Sequence, residues 1–165
     1  MSKKIHALPL GLSLAALVLI ADQISKWWIV EKVMQPSHVF EVTSFFNVVL
    51  VLNRGVSFGI FNGNSPYNSV ILATLALGIA LALVWWLRKV TDLATMTALG
   101  LVTGGAVGNA VDRIRHDAVI DFLDFHAGTL HWPAFNVADM AVSVGAAVLI
   151  IDALFQRPGP DKNPV

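Results

Sequence analysis

The 165-residue chain contains no cysteine. That excludes a disulfide framework, a thiol nucleophile and a thiolate metal site. Charge is scarce too. Asp, Glu, Lys and Arg together make up 13% of the residues, where soluble domains carry about 25%. The formal net charge is zero, so the basic excess that a nucleic-acid partner requires is missing. What the chain has in abundance is apolar side chains: 56% of the residues, with a mean hydropathy of +0.69. A water-soluble domain of this size cannot bury so much apolar surface. Lipid is the better solvent for it.

Lys3 and Lys4 precede an apolar run over residues 7–21, the pattern of a secretory signal. Leu19, however, stands where cleavage before Ala21 or nearby would want a small residue, and apolar character resumes at Trp27, Trp28, Ile29 and Val30. The segment therefore reads as an uncleaved first span. A span needs about 20 mostly apolar residues, and four segments qualify: 8–30, 67–87, 93–111 and 135–155. The first carries Asp22 and Lys26, the fourth Asp139 and Asp152, and the third no charge. The expected fold is a mainly α membrane protein, one domain of four transmembrane helices. A small extracytoplasmic β-sheet is expected in one outer loop (31–66), where residues 39–52 are rich in β-branched and aromatic side chains. A second outer loop, 112–134, is polar. The turn cluster Asn62-Gly63-Asn64-Ser65-Pro66 ends the first loop. The tail 157–165, with three prolines, is expected to be disordered.

Four spans put both termini on one side. Lys3, Lys4, Arg88, Lys89, Arg157 and Lys162 share that side, against Lys32, Arg54, Arg113 and Arg115 on the other. The positive-inside rule then makes the termini cytoplasmic and the long loops external. Gly100, Gly104 and Gly108 repeat every four residues in the third span, a small-residue stripe that permits close helix packing.

Charges within a span are costly and need a reason. Asn136, Asp139 and Ser143 share one face where the chain enters the fourth span. Asn136 or Asp139 is equally suited to cap that helix. Asp121 lies in the apolar stretch Ala118-Val119-Ile120-Asp121-Phe122 and can be read as an ordinary loop carboxylate. Taken together the two aspartates suggest more. Two carboxyls held close at a low-dielectric boundary cannot both ionise easily and share a proton. One then takes a proton from water while the other protonates a carbonyl oxygen. That chemistry requires no metal or other cofactor.

The chain resembles the lipoprotein signal peptidases (signal peptidase II). The matching motifs are Asp22-Gln23-Ile24-Ser25-Lys26, Asn53-Arg54-Gly55-Val56-Ser57-Phe58-Gly59, the segment Gly104-Gly105-Ala106-Val107-Gly108-Asn109-Ala110-Val111-Asp112-Arg113, Val119-Ile120-Asp121-Phe122 and Phe135-Asn136-Val137-Ala138-Asp139. They stand in the family's order and cover nearly the whole chain. The resemblance implies an intramembrane aspartic endopeptidase of the bacterial inner membrane, active at its outer face. It implies removal of the signal peptide from a prolipoprotein, by cutting just before a Cys that already carries diacylglycerol. Asp121 and Asp139 match the family's catalytic aspartates. Asn53, Asn109, Arg113 and Asn136 match polar residues lining the family's substrate site, and Gly55 falls within the same motif set. The partners implied are diacylated prolipoproteins and membrane lipids, with the enzyme a monomer.

The remaining polar residues read as support. Asp22 and Lys26 are an i, i+4 pair in the favourable order, suited to stabilising span one. Asp112 continues the glycine stripe and reads as structural. Arg113 can pair with Asp112 or Asp139, the structural reading, or bind a lipid phosphate. Two other classes compete. His116, Asp117, Asp121, Asp124, His126, His131 and Asp139 would supply ligands to a membrane metallohydrolase, although no HExxH-type spacing is present. A transporter subunit would also use intramembrane carboxylates, but no internal repeat supports it. Ser25 and Lys26 are adjacent and cannot form a dyad on one helix face, and Ser57 has no evident base.

Asp121 has a rival in Asp124. On an extended segment they face opposite ways; on a helix they share a face. Val119 and Ile120 before Asp121 match the family motif. Asp124 lies nearer the polar stretch His126-Ala127-Gly128-Thr129, which suggests water around it and an ordinary pKa.

Overall fold

The computed structural model describes residues 7–55 and 67–155. The turn cluster at 62–66, Ser57, the terminal lysines and the proline-rich tail lie outside the described residues. Among the described residues, four helices are long and apolar enough to cross a membrane. Helix α1, Ala7–Trp28, runs on into a π-helical turn, Ile29–Val33; α2 is Asn68–Leu87, α3 Leu93–His116 and α4 Val137–Phe155. All four expected spans are present, with two corrections at their ends. Helix α3 continues to His116, past the expected end at 111, so Asp112 and Arg113 sit on a helix and not in a loop. Helix α4 begins at Val137, because Phe135 bonds to Leu123 as a strand residue and Asn136 turns the chain.

Helix α3 is the centre of the bundle and packs against each of the other three. Over half of its span, 56%, is buried, against 17% for α4. Its glycine stripe explains how. A Cβ on Gly104 would stand 2.5 Å from the Ala15 carbonyl, and one on Gly100 2.8 Å from the Gly11 carbonyl, both in α1. Gly108 meets the Asp22 carboxylate in the same way, at 2.7 Å. The remaining faces of the helices carry exposed Leu17, Ile24, Leu81 and Leu154, as helices solvated by lipid do. Asp92 caps α3 by accepting from the Thr95 N–H at 2.7 Å, and Asp117 closes its far end in the left-handed conformation.

The two long loops between the helices make one sheet. Strands β1, Phe40–Thr43, and β2, Phe46–Asn53, come from the first loop; β3, Val119–Ala127, and β4, Leu130–His131, come from the second. All pairings are antiparallel in the order β1-β2-β3-β4. The second loop, expected as polar loop, thus supplies half the strands. Its apolar Val119, Ile120 and Phe122 are buried, Phe122 together with Ile29 and Met34, and that burial outweighs its polar composition. Between Val48 and Val51, β2 carries one residue more than β3, a bulge that reverses which way the rest of the strand faces.

Candidate active site

Strand β3 delivers Asp121 to the end of α3 and the start of α4, where it is 2% exposed. Its Oδ2 accepts from Asn53 Nδ2 at 3.0 Å and its Oδ1 from Asn136 Nδ2 at 2.7 Å. Burial pushes the Asp121 carboxyl up to about 6, against the pull of the Asn53 hydrogen bond, and the nearby Asp139 charge adds to the rise.

Asp139 sits in the first turn of α4. The Asp139 N–H donates to Asn136 Oδ1 at 2.9 Å, and the Asn136 N–H donates back to Asp139 Oδ2 at 3.3 Å. This reciprocal pattern is a capping box. The capping alternative for these residues is therefore correct, and it does not compete with the site. The same Asn136 that caps the helix holds Asp121 through its amide, and Asn109 Nδ2 reaches Asp139 Oδ1 at 2.8 Å. Asn53, Asn109 and Asn136 thus surround the two carboxyls with amide donors, on three different elements.

A second layer lies behind. Lys26 Nζ bridges Asp22 Oδ2 and Asp112 Oδ2, both at 2.8 Å, with all three residues buried. Asp22 Oδ1 accepts from the Ala138 N–H at 2.9 Å, so a carboxylate of α1 meets the positive end of α4. Asp112 accepts from Gln23 Nε2 at 2.9 Å and from the Ile120 N–H at 3.1 Å, which fixes the start of β3 beside the bundle. Gln23 lay unremarked within the first motif; its placement opposite Asp112 needed the fold.

Arg113 departs from expectation. Among the described residues it makes no ion pair with Asp112 or Asp139. It donates instead to the Gly55 carbonyl at 3.1 Å and, at 3.4 Å, to the Asn109 carbonyl. Adjacent helix positions point about 100° apart, and Asp112 faces α1 while Arg113 faces the end of β2. Arg113 Nε is buried and has no hydrogen-bond partner among the described residues.

Asp124 also departs. It is 6% exposed and not surrounded by water. Asn47 Nδ2 reaches it at 3.1 Å and His131 Nδ1 at 2.9 Å. Burial alone would raise its pKa, but the hydrogen bonds from His131 and Asn47 outweigh that and hold it below the usual value. Pairing of β3 with β2 and β4 encloses it. It lies three residues from Asp121 on a strand, hence on the opposite face. Among the described residues, no three of the His, Asp and Glu side chains stand together as a metal-holding group.

Beside Asp139 opens a cleft of about 650 Å³, lined by Phe125, Trp132, Phe135, Met140 and Val144. Asp139 is its one ionisable lining residue among those described. Met140 and Val144 belong to the exposed face of α4, so the cleft opens to the side of the helix bundle. Ser143 shares it with Asp139, as their common helix face predicts. Trp132 and Phe125 gave no sign of this role in the sequence, because only the β3–β4 hairpin brings them over α4.

Residues 14–155 match the family model described as signal peptidase (SPase) II. A lipoprotein signal peptidase of Rhodopseudomonas palustris (strain TIE-1) is 42% identical over 155 residues, covering 90% of this chain and 94% of its own. One from Nitratidesulfovibrio vulgaris is 39% identical over 157 residues, covering 92% and 93%. Two solved structures share the fold. A bacterial membrane enzyme solved by the in meso method at 2.3 Å matches with a TM-score of 0.83 and 29% identity, covering 100% of this chain and 99% of that one. Another, at 1.9 Å, matches with a TM-score of 0.79 and 30% identity, covering 95% and 99%. With a family match over most of its length and relatives near 40% identity, the chain belongs to the signal peptidase II family.

Proposed function

We propose that the protein is an aspartic endopeptidase that removes the signal peptide from diacylglyceryl-modified prolipoproteins by cutting before the lipidated Cys. Asp121 and Asp139 are its catalytic pair. The observation that carries this reading is Asn136, whose single side chain bonds Asp121 through its amide and Asp139 through its oxygen. It ties two carboxyls from distant elements into one unit.

The pair shares a proton and titrates as a unit. Asp121, the more buried member, holds the proton at rest. Asp139, facing the cleft, takes a proton from water as that water adds to the scissile carbonyl, while Asp121 gives its proton to the carbonyl oxygen. The tetrahedral diol then collapses. The C–N bond breaks, Asp139 protonates the leaving nitrogen, and Asp121 recovers its proton from the diol hydroxyl. Asn53, Asn109 and Asn136 keep the carboxyls in place, and the Arg113 guanidinium beside Gly55 serves substrate carbonyls.

The acyl chains of the substrate occupy the cleft beside Asp139. Each buried CH₂ contributes roughly 0.8 kcal/mol, so two chains anchor the scissile bond and limit its motion. The enzyme works as a single domain and as a monomer. The charge bias of the loops supports cytoplasmic termini in the inner membrane, with the site at the outer face. The test is incubation of the reconstituted protein with a diacylated prolipoprotein and with its unlipidated form. Release of the signal peptide from the first, at least roughly a hundredfold faster than from the second, is the expected result. Equal cleavage of both would overturn the substrate assignment.

A further inference from the structure

Lys26 is 2% exposed and lies behind the two aspartates. Its Nζ donates to Asp22 Oδ2 at 2.8 Å and to Asn109 Oδ1 at 3.2 Å, and forms a second ion pair with Asp112 Oδ2 at 2.8 Å. Two hydrogen bonds and a second ion pair thus converge on the ammonium. An ammonium accepts nothing, and only the oxygen of Asn109 can face it. The other end of that amide, its NH₂, is thereby turned onto Asp139 Oδ1 at 2.8 Å. The Asn109 oxygen also accepts from Asn136 Nδ2 at 3.3 Å, which fixes the same orientation from the α4 side.

Lys26 does not line the cleft that holds Asp139. It borders a separate cavity of about 140 Å³ with Gln23, Trp27 and Asp112. Its influence on the reaction therefore has to pass through other groups. The charged groups facing the pair are Asp22 and Lys26 from α1 and Asp112 and Arg113 from α3; β2 contributes the neutral Asn53. Lys26 sits against both of the additional carboxylates.

We propose that Lys26 is a positioning residue for the peptidase reaction: acting through Asn109, it keeps the donor end of that amide on Asp139 and holds positive charge behind the pair. The proposal rests on the peptidase reading of the site. A purely structural Lys26 would clamp α1 to α3 and leave the proton chemistry unchanged. A positioning Lys26 must change it, because its charge also acts to lower the Asp121 carboxyl. Removing the cation favours the neutral carboxyl.

The experiment is the pH dependence of cleavage by the full-length reconstituted protein, for wild type, Lys26→Arg and Lys26→Met. In Lys26→Met, kcat is expected to fall roughly ten- to a hundredfold with KM nearly unchanged. The alkaline limb of the profile should move up by about half a pH unit or more. Lys26→Arg keeps the charge and should leave the limb in place. Where Lys26→Met does not accumulate in the membrane, Lys26→Gln, which retains an amide donor, is judged by the same limb. A neutral variant with lower kcat and an unmoved limb overturns the proposal. Failure of the peptidase reading itself would look different, as wild-type protein that cleaves at no pH.

Discussion

Asn47 and Asn53 stand six residues apart on β2, yet they bond to opposite faces of the neighbouring strand. Asn47 reaches Asp124 and Asn53 reaches Asp121. A regular strand would send both to one face; the extra residue between Val48 and Val51 reverses the second. The two asparagines should therefore separate on substitution. Asn53→Ala is expected to lower the cleavage rate about tenfold and to move the alkaline limb upward, since its hydrogen bond opposes protonation of Asp121. Asn47→Ala should leave the rate nearly unchanged and cost roughly 1–3 kcal/mol of stability by leaving one side of buried Asp124 unbonded. Rate profiles and melting curves of the two proteins check this.

Removal of either carboxyl of the pair should abolish turnover. Asp121→Asn and Asp139→Asn are each expected to lower cleavage by roughly a thousandfold or more, because an amide cannot shuttle the proton. Both should still integrate into the membrane. Asp124→Asn, on the far face of the sheet, should retain most activity. Cleavage at matched expression distinguishes the three, and an inactive Asp124→Asn beside an active Asp121→Asn would reassign the dyad.

The Asp121 carboxyl, raised to about 6, fixes the sign of two pH effects. Its folded value lies above the usual 3.8, so the folded state prefers the protonated form. That preference contributes stability below pH 3.8, which is lost as pH rises toward 6. Asp121→Asn cannot ionise there, so the stability of wild type relative to this variant should fall between about pH 4 and pH 6 and then level off. The wild-type rate should decline above about pH 6, as Asp121 gives up the proton it donates. Asp124 has the opposite sign. Its lowered value makes its contribution present near neutrality and lost as pH falls below the usual carboxylate range. Melting temperatures across pH for wild type, Asp121→Asn and Asp124→Asn test both signs.

Asn136 combines a cap and a tether, and two substitutions take them apart. Asn136→Ser keeps an oxygen for the Asp139 N–H but loses the amide that reaches Asp121. Asn136→Ser should cost roughly 1–3 kcal/mol for the amide bonds lost from buried Asp121 and the Ile120 carbonyl, and Asn136→Ala roughly 0.5–2 kcal/mol more through loss of the cap. Cleavage should be low in both, by roughly a hundredfold. A Ser variant with wild-type turnover would show that the tether is dispensable.

Several features of this protein follow from sequence alone. Four apolar stretches of about 20 residues have one physically favourable environment, and the backbone satisfies itself there only as helix. The glycines at 100, 104 and 108 mark the close face of α3 because spacing of four is a property of any helix. The five motifs identified the family and singled out Asp121, Asp139 and their asparagines. Other features depended on long-range pairing. The loop between α3 and α4 became strand because β2 supplied partners for its backbone, a choice that no local pattern records. That pairing buried Asp124 despite its polar neighbours, gave it His131 and Asn47, and set it on the face away from Asp121. Arg113 and Asp112 are neighbours in sequence, but rotation about α3 sends one to Gly55 and the other to Lys26. The bulge in β2 decided that Asn53, and not Asn47, reaches Asp121, because a single inserted residue reverses the face of every residue beyond it.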